Sequence, residues 1–130
     1  MRNATAYLNT QTTTLNHERA FEELYLRLAR WTHEIAVADP APAWEVTGAQ
    51  LDRCIALLGY MSGVIDLSHS YEVAAAILSL HRFAIGALVQ AKSERAAARL
   101  DGLPQLFVSL AGIFAAISER AAAAPRSLSA

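Results

Sequence analysis

Two long apolar runs stand on either side of three polar residues. LDRCIALLGYMSGVIDL covers residues 51–67, Ser68-His69-Ser70 follow, and YEVAAAILSLHRFAIGALVQA covers 71–91. In the first run Leu51, Cys54, Ile55, Leu58, Met61 and Ile65 recur every three or four positions, the period of a helix that buries one face. An elbow this short makes the second run turn back along the first, so the chain must contain an antiparallel helix pair joined by its apolar faces.

The remaining segments follow the same period. Asn16 is a candidate N-cap with Glu18 in the first turn, and Phe21, Leu24, Tyr25, Leu28, Trp31 and Ile35 form the stripe of a first helix that Asp39-Pro40-Ala41-Pro42 ends. Thr47 with Gln50 has the form of a capping box for the second helix. Gly59 and Gly63 within it suggest tight packing or a soft spot. Ser70 caps the third helix, which Asp101-Gly102 breaks, and Pro104 falls in the first turn of a fourth. Leu103, Leu106, Phe107, Leu110, Ile113, Phe114 and Ile117 are its stripe. The expectation is an all-α, antiparallel four-helix bundle with helices at about 16–38, 47–67, 70–97 and 103–121. Residues 1–15 read as a flexible N-terminal arm, 16–121 as the bundle domain and 122–130 as a disordered tail.

A chain of 130 residues is one domain with room for a core. Its net charge of −1 excludes a broad basic field for nucleic acid. Cys54 has no cysteine to pair with and reads as a buried thiol in a reduced compartment. The N-terminus lacks the apolar core of a signal peptide. The run Leu103–Ser118 falls short of the roughly 18–20 residues a spanning helix needs and holds Gln105 and two serines. These features read as a cytoplasmic protein with no membrane and no nucleic-acid partner.

The apolar surface exceeds what one bundle hides. At 100° per residue the first helix carries an apolar arc of roughly 160°, whereas Val73 to Val89 cover roughly 240° of the third. Side chains such as Leu78, Ile85 and Val89, or Val108, Ile113 and Ala115, cannot all point inward. Each one left exposed forgoes about 1.5–3 kcal/mol of burial, so the surplus reads as an interaction surface. It is covered either by a partner, by a second copy of the chain, or by a lipid-like or haem-like ligand between helices.

Catalytic and metal chemistry find little support. The residue three before each of His17, His33, His69 and His81 is Thr14, Arg30, Asp66 and Leu78, which gives no Glu-x-x-His pair. No His-x-x-x-His pair is present for zinc, and no glycine-rich phosphate loop or Gly-x-Ser-x-Gly turn occurs. No cofactor, metal or enzymatic activity is expected. His81, at the edge of the third helix's apolar arc, reads as a partly buried, hydrogen-bonded imidazole.

The chain resembles the FliS family of flagellin export chaperones. Ala6-Tyr7 before a polar arm, LYLRLARW from Leu24, and IDLSHSYEVAAAILSLHRFAIGALVQA from Ile65 are similar to the family's successive motifs. Asp66, Glu72, Val73, Ala74, Leu80, Phe83, Leu88 and Ala91 fit the last of them, while Ser70-Tyr71, Ala76 and His81 replace the usual glycines, asparagine and tyrosine. The resemblance implies a cytoplasmic chaperone that binds the disordered C-terminal segment of flagellin, prevents its polymerisation and meets flagellar export components; the rival reading is a structural helical protein that homodimerises through its excess apolar surface, and a homodimer without client is a further expectation. By the resemblance Tyr7 and Leu8 would be a lid, and Ile65, Tyr71, Leu78, His81, Ile85, Val89 and Val108 the client-binding surface.

Overall fold

In the computed structural model the chain is built from α1 (Arg2–Val37), α2 (Trp44–Ser68), α3 (Tyr71–Glu94), a short 3-10 turn (Ala97–Leu100) and α4 (Leu103–Ala123). The structure describes the backbone of residues 2–68 and 71–123, and the side-chain surroundings of 19–65, 71–120 and 122–123. The expected cap Ser70 and the tail from residue 124 lie outside the described residues.

Each helix buries a narrow seam at heptad spacing. In α3 it is Ala74, Ile77, His81, Ala84, Leu88 and Ala91; in α2 it is Leu51, Cys54, Leu58, Met61 and Ile65. α1 contributes Phe21, Tyr25, Leu28, Thr32 and Ile35, and α4 contributes Leu103, Phe107, Leu110 and Phe114. Steps of three and four in alternation are the a and d positions of a coiled-coil-like bundle, which hides about two residues in seven. An aromatic cluster occupies one layer of this core. Phe114 stacks at 5.4 Å from both Phe21 and Tyr25, and Tyr25 lies edge-on to His81 at 5.6 Å.

The four helices are not equally spaced. α1 and α4 lie closest together, α2 and α3 next, α1 and α2 less so, and the backbones of α3 and α4 hardly approach. The sequence explains the order. The flank of α1 and α4 next to the a position carries Ala29, Ala111 and Ser118, all buried, and such short side chains let two backbones draw together. The matching flank between α2 and α3 holds Gly48, Ser62 and Ile55 on one side and Leu78, Ile85 and Lys92 on the other. Lys92 Nζ reaches Asp52 of α2 at 2.7 Å, which fixes which side of α3 faces α2. The bundle is thus two tight pairs, α1 with α4 and α2 with α3, laid across each other with two looser seams.

Three boundaries differ from the expectation. α1 starts at Arg2, not at Asn16, so the backbone of the supposed arm continues the helix. α2 opens at Trp44: the Thr47 amide already bonds the Ala43 carbonyl at 3.3 Å, which places Thr47 inside the first turn instead of at its cap. α3 stops at Glu94, earlier than the Asp101-Gly102 break. Arg95 takes a positive φ of 51°, its amide bonds Lys92 and the Ala96 amide bonds Ala91, the pattern of a Schellman stop. Gly102, at φ 86°, then accepts the first α4 bond from Leu106, a backbone setting that suits glycine.

The spans Tyr71–Glu94 and Ala97–Arg120 are long and apolar enough to cross a membrane by length and composition alone, contrary to the expectation from the shorter run 103–118. Within the bundle they share their buried seams with α1 and α2, whose outward positions include Arg27, Arg30, Glu34, Asp52 and Arg53.

Candidate functional site

The heptad phase shows where the surplus apolar surface lies. On α3 the side turned from α2 carries Val73, Ala76, Leu80, Phe83 and Ala87. Val73, Leu80 and Phe83 are exposed, Phe83 by 67%. On α4 the side turned from α1 carries Leu106, Ser109, Ile113 and Ala116, with Leu106 half-buried and Ile113 exposed. These two flanks border the seam where the α3 and α4 backbones stand apart. No charged residue occupies these flank positions between 73 and 90 or between 106 and 116. The result is a pair of apolar, uncharged flanks bordering that seam, a candidate furrow about the length of an amphipathic helix.

The expected site residues divide around this furrow. Tyr71 stands at the start of α3 and is almost fully exposed. Val89 and Val108 are about half exposed, but on the outer flanks facing α2 and α1, so they do not share a surface with the furrow or with each other. Leu78 and Ile85 are half-buried against the core on the α2 side. Ile65 is wholly buried among the α2 seam residues, and His81 is 1% exposed, so neither can meet a partner. The side chains of Tyr7 and Leu8 lie outside the described residues, and the backbone there is α1 helix. The arc count treated every apolar residue beyond about half the circumference as equal surplus. It counts Leu80, Phe83 and Ile113 in the surplus without setting them apart, which the phase of the buried seam does.

His81 is held by a chain of hydrogen bonds whose directions are determined. Ser62 Oγ donates its proton to the Leu58 carbonyl at 2.8 Å, so it must accept from His81 Nδ1, also at 2.8 Å. Nε2 is then unprotonated and accepts from the Tyr25 hydroxyl at 2.5 Å. Both ring nitrogens are satisfied by a neutral imidazole. Burial lowers the His81 pKa to about 4, with Leu58 pulling the other way, and raises that of Tyr25. The His81 ring is thus a core element that joins α1, α2 and α3.

Cys54 is fully buried and its thiol is pushed up to about 11 by burial, against the opposing charge of Arg53. Such a thiol is a poor nucleophile. Among the described residues, no three of His, Cys, Asp and Glu gather where they could hold a metal ion.

The profile of the flagellar protein FliS matches residues 1–121. The chain belongs to the FliS family. No curated protein and no solved structure matches it. Membership brings the role of a flagellar chaperone in general terms, and an all-α four-helix arrangement is what a FliS protein has. A helical bundle with an open apolar seam suits that role, because a chaperone must offer surface that it does not use for its own core.

Proposed function

We propose that this FliS protein binds the C-terminal segment of flagellin in the furrow between α3 and α4. There it keeps the segment from polymerising in the cytoplasm until the export apparatus takes it. The observation that carries the reading is the uncharged flank pair Val73, Leu80, Phe83 and Leu106, Ile113 along the seam where the α3 and α4 backbones hardly approach. A chain that is disordered alone can fold an amphipathic helix into such a groove and bury its own apolar face in doing so.

Co-expression with flagellin, intact or lacking its C-terminal segment, tests the reading. A complex is expected only with the intact tail, and Phe83→Asp is expected to weaken it roughly tenfold or more, since central apolar anchors dominate such interfaces. Leu78 and Ile85 are unsuited to this test because they pack on the core. A complex indifferent to Phe83→Asp and Leu80→Asp would remove the furrow from the reading. A mass that doubles with concentration in the absence of client, and is lost on Phe83→Asp, would assign the furrow to a second copy instead.

A further inference from the structure

The second loose seam, between α1 and α2, has a different chemistry. Near the connection between α1 and α2 a recess of about 100 Å³ is lined by Trp31, Glu34, Ile35, Gln50 and Arg53. The Arg53 guanidinium lies 5.4 Å from the centre of the Trp31 ring and that of Arg27 lies 6.0 Å from it. The two cations elsewhere that have found a carboxylate, Lys92 with Asp52 and Arg99 with Glu94, are each bonded at 2.7 Å. Among the described residues neither Arg27 nor Arg53 has such a carboxylate, although Glu34 is close by. An indole face orients a guanidinium without neutralising it and leaves its N–H edge free to donate. Val37 and Val46, about half exposed, stand near the ends of the two helices that border the recess.

We propose that this recess is a second docking point, for a protein segment that presents a single aspartate or glutamate next to an aliphatic side chain. The charge balance selects that partner. Arg53 and Glu34 line the recess, and Arg27 beside the Trp31 ring brings the local sum to one positive charge, which matches one carboxylate and would gain little from a polyanion. A carboxylate can take two parallel N–H bonds from the Arg53 fork, and the neighbouring aliphatic group would lie on Val37 or Val46. The site sits on the seam opposite the α3/α4 furrow, so a client in the furrow and a segment in the recess could be held together. The recess has its own observations and stands whether or not the furrow binds flagellin.

The test is selection of random peptides displayed on phage against the full chain carrying Phe83→Asp, which spoils the other seam. The enriched sequences are expected to share an Asp or Glu beside Leu, Ile or Val. A synthetic peptide of that consensus should lose roughly tenfold or more in affinity when its acid is changed to the amide, and equally on Arg53→Gln. Arg82→Gln, on the exposed side of α3, should leave it unchanged, and both variants should melt with the parent. Failure to enrich any sequence, a consensus without an acid, or a peptide whose binding ignores Arg53→Gln would overturn the proposal.

Discussion

The Tyr25 hydroxyl donates to Nε2 of His81 across 2.5 Å, joining α1 to α3 through the core. Because Ser62 already gives its proton to Leu58, the ring proton sits on Nδ1, and burial of the ring disfavours a second one on Nε2. The unfolded chain protonates His81 near pH 6.5, whereas the folded chain resists until about 4. The unfolded state therefore takes up a proton first as pH falls. The stabilising effect of the neutral ring is whole above pH 6.5 and is lost as pH drops towards 4. Between pH 7 and pH 5 this removes about 2 kcal/mol of stability. Urea unfolding of the parent and of His81→Phe at both pH values checks it, and the parent should show the steeper loss.

Tyr25→Phe isolates the other end of the same chain. It leaves Nε2 buried with a lone pair and no donor, and it removes no carbon from the packing against Phe21 and Phe114. The expected cost is about 1–3 kcal/mol, together with a rise in the His81 pKa, since an ionised ring no longer displaces a donor. Proton-detected titration of the imidazole measures that rise. An unchanged pKa would mean that burial alone sets it.

Much of this architecture could be read before any coordinates, because the apolar period of Leu51 to Ile65 and of Leu103 to Ile117 is the period of the buried seams. What periodicity could not supply was which side of each seam opens. Leu78 and Phe83 look alike in a count of apolar positions, yet one packs towards α2 and the other lines the furrow. Lys92 meeting Asp52, forty residues away, marks that difference, and the alanines that draw α1 onto α4 go with it. The burial of Ile65 and His81 is likewise beyond what periodicity alone shows. His81 in particular reads as polar in sequence and becomes core only because Tyr25 and Ser62 arrive from two other helices. The start of α1 was placed late because Thr-rich residues have weak helix propensity, a local preference that the continuous helix overrides.

The contrast between seam and furrow can be measured directly. Leu88 is fully buried and Leu80 is partly exposed, although both lie on α3. Leu88→Ala should cost about 2–5 kcal/mol by leaving a cavity. Leu80→Ser should cost less, about 1 kcal/mol, because part of its side chain is still covered, and its effect should appear in client binding. Equal destabilisation by the two would place Leu80 in the core and close the furrow.

Cys54 gives a probe of the whole bundle. With its thiol at about 11 and no exposed surface, alkylation by iodoacetamide at pH 8 should proceed only through opening of the α2 seam. The labelling rate should rise with urea in step with global unfolding. Rapid labelling of the native protein would show that α2 opens on its own.

Arg95 marks a place where the sequence is not at its optimum. It ends α3 with φ at 51°, while the amides of Arg95 and Ala96 close the Schellman pattern onto Lys92 and Ala91. For a residue with a Cβ this left-handed setting costs about 1–2 kcal/mol relative to the right-handed one, and glycine at this position avoids that cost. Glycine also loses more entropy on folding, which offsets part of the gain. Arg95 makes no ion pair among the described residues, where Glu94 is taken by Arg99. Arg95→Gly is therefore expected to stabilise the bundle by about 0.5–1 kcal/mol, seen as a rise of a few degrees in Tm. Arg95→Val, with a branched Cβ in the same setting, should lower Tm instead. If the two variants melt together, α3 does not end in the left-handed turn and the connection to α4 is built differently.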